Sequence, residues 1–124
     1  MIRDKVQVAL DAVLENKVRV YWQRKSGPDA DEYIVYSQSG DSEEFYADNE
    51  SLVNAGGVTV QYFYRAEMLD THKGRQLIKE RETTIQSALK EAGFRIPFGQ
   101  FDAGDVDDIG YFVTVFECEY WWVA

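Results

Sequence analysis

The segment from Asp70 to Phe94 most constrains the fold, because it carries every sequence signal of one long amphipathic helix. A short side chain at Asp70 or Thr71 can accept a hydrogen bond from an unpaired backbone N–H at the helix start. Gly93 stands where helices commonly end in a left-handed residue, and Phe94 after it can pack back on Leu89. The predicted inward stripe has helical spacing and consists of Leu77, Ile78, Arg81, Ile85, Ala88, Leu89 and Ala92.

Two longer segments predict strands. Val58, Val60 and Tyr62 alternate with polar residues, the period of two that a half-buried strand shows, and we expect this strand to be central. The chain closes with a second long strand from Tyr111 to Val123. On one face of it we place Phe112, Phe116, Cys118 and Tyr120.

Shorter segments complete the prediction. Residues 2–14 have the spacing of a first amphipathic helix, whose inward stripe includes Val13, and residues 18–22 read as a first strand. After a polar loop over residues 23–32, residues 33–37 form a strand, followed by a turn at 39–41 and a short apolar piece at 45–47. Residues 54–57 read as a turn, 94–98 as a short edge strand and 102–110 as an acidic loop.

Helix, strands, helix and strands thus follow one another along a chain of 124 residues. This order predicts a single α+β domain spanning residues 1–124, with two helices packed on one face of a mainly antiparallel sheet. No apolar run approaches the length of a membrane span, and the charged start, Met1 to Lys5, lacks the apolar core of a signal peptide. We therefore expect a chain made in the cytoplasm.

Charge and residue types weigh against catalysis and nucleic-acid binding. The formal net charge is −9, and a nucleic-acid surface needs clustered Lys and Arg to neutralise phosphates. His72 is the only histidine and Cys118 the only cysteine, so neither has an evident catalytic or metal-binding partner. The acidic residues from Asp102 to Asp108 lack the ligand spacing of a calcium loop. We predict no enzyme, no cofactor and no metal site.

A basic cluster lies near the start of the long helix. Its four residues form either a mixed solvent-exposed face or a docking patch for an acidic partner: Lys73, Arg75, Lys79 and Arg81.

The chain resembles the tail terminator, or tail completion, proteins of long-tailed bacteriophages and prophages. The resemblance rests on the start helix, the YIVY strand from Tyr33 with its acidic continuation to Asn49, and the VTVQYFY strand from Val58. It extends to the helix that ends in LKEAGF at Phe94 and to the aromatic last strand. The resemblance covers nearly the whole chain and lies in the types of residue in these segments and in the order of the elements.

The resemblance implies a subunit of a ring, typically hexameric, that caps the tail tube, stops tail growth and forms the head–tail joining surface. Its partners would be further copies of the chain, the tail tube protein and head-completion or connector proteins. DNA would pass through without specific binding, and the protein would sit in the virion after synthesis in the bacterial host cytoplasm. For the subunit or tail interface we select Phe45, Tyr46, Trp121 and Trp122. Acidic candidates for a DNA-repelling lumen are Asp41, Glu43, Glu44, Asp105, Asp107 and Asp108.

Two other functions compete with this one. A head-completion or head–tail connector component of the same neck has similar size and acidity. A small ligand-binding α+β domain would instead use its aromatic residues to line an apolar pocket. Adjacent strand residues point to opposite faces, so only one of Trp121 and Trp122 can pack under the helices. The other is left for an interface or for the second face of the sheet.

Overall fold

The computed structural model of the chain describes residues 2–15, 17–25, 30–42, 53–97, 99–105 and 110–123. Its elements, in chain order, are α1 (Ile2–Leu14), β1 (Arg19–Trp22), β2 (Glu32–Ser42), β3 (Val53–Arg65), a 3-10 turn (Ala66–Asp70), α2 (His72–Glu91), β4 (Gln100–Asp105) and β5 (Tyr111–Val123).

The strands form one sheet in the order β1-β2-β3-β5-β4. β1 and β2 run parallel, while the other three neighbouring pairs are antiparallel. The predicted α+β class with a mainly antiparallel sheet is confirmed, and β3 is the central strand, as its alternating pattern predicts.

Both helices pack on one face of this sheet, which is also the predicted arrangement. α1 contributes Val6, Leu10 and Leu14 to the main core, and α2 contributes Ile85 and Leu89, all of them buried. The sheet side of the same core is formed by Ile34, Tyr36, Val58, Val60, Tyr62, Tyr64, Phe116 and Cys118. The side chains of β5 assigned to the core face by their alternation lie there.

The ends of α2 follow the sequence signals. Of the two candidate caps, Thr71 makes the bond: its hydroxyl accepts from the Gly74 N–H at 3.0 Å. At the other end Gly93 has φ +100°, and the Phe94 N–H donates to the Leu89 carbonyl at 3.0 Å. The helix therefore begins and ends where its side chains and its glycine satisfy the unpaired backbone groups.

The turns predicted at 39–41 and 54–57 are wrong, because β2 and β3 run straight through them. Gly56 pairs with Asp41 of β2 on one side and with Tyr120 of β5 on the other. Backbone pairing on both sides stabilises the extended conformation against the turn preference of glycine. The register of the β2–β3 pairing shifts between Gln38 and Gly40, as at a β-bulge. The apolar piece predicted at 45–47 lies outside the described residues.

The acidic loop predicted over residues 102–110 is wrong in its first part, which belongs to β4. There the Asp102 carboxylate accepts a hydrogen bond from the Gly104 N–H at 2.8 Å, and Gly104 has φ +75°. This local bond accompanies a shift of register against β5 between the same two residues. Asp102 and Gly104 are residue types typical of loops, and here they form an irregularity within a strand.

Two other boundaries also differ from the prediction. In place of the strand predicted over residues 94–98, the described residues 94–97 contribute one antiparallel bridge, in which Arg95 and Glu119 exchange two backbone hydrogen bonds of 2.8 Å. Glu32, assigned to the polar loop, is the first residue of β2. Its side chain proves important for the position of α2.

Candidate assembly surfaces

Three adjacent strands continue past the helix-covered core. We call residues 40–42 of β2, 53–57 of β3 and 119–123 of β5 the strand extension. The last fully buried core side chains before it are Val58 and Cys118, and the partly buried Tyr120 at its base still packs against the core. Beyond them the ladder continues through the pairs Asp41–Gly56 and Ala55–Trp121. Because its middle strand is hydrogen-bonded on both sides, the extension is a sheet and not a loose loop.

The strand extension carries part of the predicted interface. Trp121 and Trp122 lie opposite Ala55 and Asn54 in the β3–β5 ladder, at the far end of the last strand. Their backbone positions therefore lie past Val58 and Cys118, the last fully buried core residues of β3 and β5. Phe45 and Tyr46, the other two interface candidates, lie outside the described residues.

The acidic candidates separate into two places. Asp41 is in the strand extension. It pairs with Gly56 of β3, which pairs in turn with Tyr120 of β5, so Asp41 and Tyr120 lie at the same height along the sheet. Asp105 is the last residue of β4 and pairs with Phe112 near the start of β5. Eight residues of β5 separate these levels, which is about 27 Å of strand. Glu43, Glu44, Asp107 and Asp108 lie outside the described residues.

This separation limits how a ring could use the acidic candidates. If the strands run along the axis of a ring, both acidic levels can face the lumen, one at each end. If the strands run radially, only one of the two can do so. Charge reversal at one level at a time therefore distinguishes the two orientations.

The two helices form an open apolar groove on the side away from the sheet. Its volume is about 490 Å³. Two valines of α1 are exposed beside it: Val8 at 68% and Val13 at 41%. Val13 was assigned to the inward stripe of α1, and this assignment is wrong. Leu10 and Leu14 of that stripe are buried, whereas Val13 lies at its edge and lines the groove. The groove is lined by Asp4, Lys5, Val8, Ala9, Ala12, Val13, Ala88, Glu91 and Ala92.

A half-buried polar cluster holds α2 against the start of β2. The Arg81 guanidinium donates to both carboxylate oxygens of Glu32, at 3.1 and 3.3 Å. The Tyr62 hydroxyl donates to the same carboxylate at 2.6 Å. Burial, followed by this hydrogen bond, raises the pKa of Tyr62 well above its ordinary value of 10.0. Arg81 was assigned both to the inward stripe and to the exposed basic cluster, and the structure gives it an internal partner.

The sequence holds only a weak signal for this cluster. An arginine within an apolar helical stripe indicates a charge that needs a buried partner. Nothing in the order of the residues indicates that the partner is Glu32, 49 positions away. A second hydrogen bond between the sheet and α2 is donated by the buried Thr114 hydroxyl of β5 to the Glu82 carboxylate, at 2.5 Å. Both contacts fix the helix on the sheet.

Aromatic side chains pack against one another on the second face of the sheet, opposite the helices. The rings of Tyr33 and Phe63 stack with centroids 4.8 Å apart, and the Tyr111 ring meets Tyr33 edge-on at 5.3 Å. The Arg65 guanidinium lies 5.0 Å from the centre of the Tyr111 ring, whose hydroxyl donates to the Ala30 carbonyl at 2.6 Å. Tyr33 and Tyr111 are consequently buried although neither helix covers this face.

The two residues considered for nucleophilic or metal chemistry lie apart. His72 is exposed at the first position of α2. Cys118 is buried in β5, and this burial, with the nearby Glu117 charge, raises the pKa of its thiol to about 12. Within the described ranges, no three His, Cys, Asp or Glu side chains are grouped so as to hold a metal ion.

No protein-family model matches the chain, and comparison with curated proteins also finds no match. Among the described helices, none is both long enough and apolar enough to span a membrane.

Proposed function

We propose that this protein is a subunit of a ring that caps the tail tube of a long-tailed phage or prophage. In this role the ring ends tail growth and forms the surface to which the head joins. Two things support the proposal: the resemblance in element order described above, and a fold with two helices on one face of a mainly antiparallel sheet, as the resemblance implies.

The observation that carries the proposal is the strand extension. Three paired strands continue past the last fully buried core residues of β3 and β5, Val58 and Cys118, and the first of them carries the YIVY segment on which the resemblance rests. A hydrogen-bonded arm of this kind can contact a neighbour without unfolding the core that anchors it. A ring requires such heterologous contacts, in which one surface of each copy meets a different surface of the next.

Charge supports the same proposal. The chain has a net charge of −9, so a pore formed by its acidic surfaces would repel the phosphates of DNA in transit. Asp41 in the strand extension and Asp105 at the opposite end of the sheet mark the two candidate linings.

The test is electron microscopy of lysates from a phage or prophage in which this gene is deleted. Overlong tail tubes without heads are the expected result. Tails of normal length that are not joined to heads would instead assign the protein to the head side of the neck. Intact, infectious particles would overturn a role in the neck altogether.

Complementation of the deletion strain examines the lumen. Asp41→Lys and Asp105→Lys each reverse one charge at one end of the sheet, and an effect of both or of only one distinguishes strands that run along the ring axis from strands that run radially. The variant whose residue faces the lumen is expected to form particles of normal tail length with less packaged or ejected DNA. Normal infectivity of both variants would refute an acidic lining at these levels.

A second candidate function is ligand binding, which the apolar groove between α1 and α2 favours. Its exposed valines and small alanines form the kind of concave apolar surface that such a domain needs. This function predicts a stable monomer, binding of an apolar probe that Ala12→Trp abolishes, and normal particles in the deletion strain.

A further inference from the structure

Both outer strands of the sheet have an open edge. β1 and β4 are the first and last strands of the sheet, and within the described residues each has a single strand neighbour. An unpaired edge offers a row of backbone N–H and C=O groups to another chain. A groove of about 370 Å³ borders β1 and is lined by Asp11 and residues 18–21.

The two edges carry opposite charge. Residues 17–25, which contain β1, include Lys17, Arg19, Arg24 and Lys25 and no Asp or Glu. β4 contains Asp102 and Asp105 and no Lys or Arg. Such a basic segment is unusual in a chain with a net charge of −9. The first three of these basic side chains are exposed, and no ion pair joins them to another described residue.

Strand direction allows the two edges to pair between copies. β1 runs parallel to β2, and the antiparallel pairs that follow along the sheet leave β4 opposite in direction to β1. When copies repeat head-to-tail with their helices on the same side, β1 of one copy meets β4 of the next in antiparallel orientation. Antiparallel pairing is the more stable arrangement of two strands.

Side chains at the edges also fit one another. Phe101 of β4 is 49% exposed. It pairs with Val115, while Tyr21 of β1 pairs with Val35, so both rings belong to the second face of the sheet. Pairing of the edges brings the two aromatic residues to the same face of a continuous sheet, where cross-strand aromatic pairs are stabilising.

We propose that copies of this chain join head-to-tail by antiparallel pairing of β1 with β4 of the next copy. The proposal rests on the proposed ring, for which it names the contact between subunits. The excess of positive charge in residues 17–25 and of negative charge in β4 disfavours pairing of β1 with β1 or of β4 with β4. A contact between two different edges generates a ring when its rotation closes.

Cysteine cross-linking of the full chain tests this contact in a Cys118→Ala background. Two double variants, Arg19→Cys with Phe101→Cys and Tyr21→Cys with Phe101→Cys, place a thiol on both edges and allow for two registers. Each is treated with a bismaleimide, both as purified protein and in cells that assemble tails. At least one should give a ladder of dimers, trimers and higher species on a denaturing gel.

The three single-cysteine variants are the matched controls. A head-to-tail contact never brings two copies of one edge together, so these chains should remain monomeric on the gel. Strong dimers from a single variant would overturn the head-to-tail arrangement. Absence of the ladder from both double variants, in both settings, would overturn the edge pairing itself.

Charge exchange provides a second test on exposed positions. Arg19→Glu with Arg24→Glu is expected to abolish the ladder. Asp102→Asn with Asp105→Lys in the same chain should restore it, since asparagine retains the acceptor for the Gly104 N–H. A ladder that the first exchange leaves unchanged would count against the contact. If the deletion strain makes overlong tails but the double-cysteine variants give no cross-linked ladder, this contact alone is refuted. If the variants give the ladder but the deletion strain makes normal particles, the tail function alone is refuted.

Discussion

The ion pair between Arg81 and Glu32 is expected to make a large contribution to stability. Its side chains are 18% and 11% exposed, and its N–O distance is 3.1 Å. Removal of one partner from a buried pair costs about 3–5 kcal/mol, and since water still reaches both groups we expect about 2 kcal/mol for Arg81→Met. Methionine retains much of the length of the side chain, so the loss reports the uncompensated Glu32 carboxylate. Among the donors in the part of the chain that the structure describes, the Tyr62 hydroxyl would remain to donate to it.

The chain supplies a matched control one residue away. Asp31 and Arg65 form an ion pair with the same N–O distance of 3.1 Å, but their side chains are 81% and 37% exposed. An exposed pair contributes about 0–1 kcal/mol, so Asp31→Asn should cost about 0.5 kcal/mol or less. Glu32→Gln should cost clearly more, because Glu32 is largely buried and accepts hydrogen bonds from both Arg81 and Tyr62. The exposed Asp31 carboxylate, in contrast, accepts one from Arg65.

Urea unfolding followed by circular dichroism measures these free energies of unfolding. A double-mutant cycle of Glu32→Gln and Arg81→Met should give a coupling energy of about 1–2 kcal/mol. The reasoning is refuted if Glu32→Gln and Asp31→Asn cost the same, or if the two effects in the cycle are additive. An unchanged m-value in each variant confirms that the comparison concerns the same folded state.

Three further predictions concern single residues. The raised pKa of Tyr62 contributes stability that is complete below pH 10.0 and is lost as the pH rises above it. Tyr62→Phe should therefore reduce the alkaline slope of the unfolding free energy by up to about 1.4 kcal/mol per pH unit, and an unchanged slope would contradict this. Gly93→Ala should lower stability by about 1–2 kcal/mol, because φ is +100° and a Cβ would lie 3.1 Å from an aromatic ring. Gly99→Ala, with φ +67° and open space around it, is the control and should cost less. Cys118, with a pKa of about 12, should react with a thiol reagent at pH 8 much more slowly in the folded than in the urea-unfolded chain. Equal rates would mean that the thiol is accessible.

Local patterns predicted the elements whose signals are contained within one segment. The cap at Thr71, the left-handed Gly93 and the spacing between them determine α2, because helix bonds join residues four positions apart. The alternation in β3 and β5 likewise predicted which residues face the helices. These predictions depend on neighbours in sequence alone.

The errors occur where a distant strand decides the conformation. Gly56 lies in a segment with turn chemistry, yet partners on both sides keep it extended. Gly104 and Asp102 read as loop residues, yet pairing with β5 makes them a strand irregularity. The propensity of a glycine-containing segment is small beside a row of ladder hydrogen bonds, so tertiary context overrides it.

By itself, the sequence determined the α+β class, the long helix, the central strand and the acidic character of the surface, because periodicity and composition act locally. Only the tertiary structure decided that Arg81 meets Glu32, that β2, β3 and β5 stay paired past the last fully buried core residues, and that the strands at the two edges of the sheet are β1 and β4. Each of these features joins residues far apart in the chain. Their proximity is set by the order and direction of the strands, which no single segment encodes.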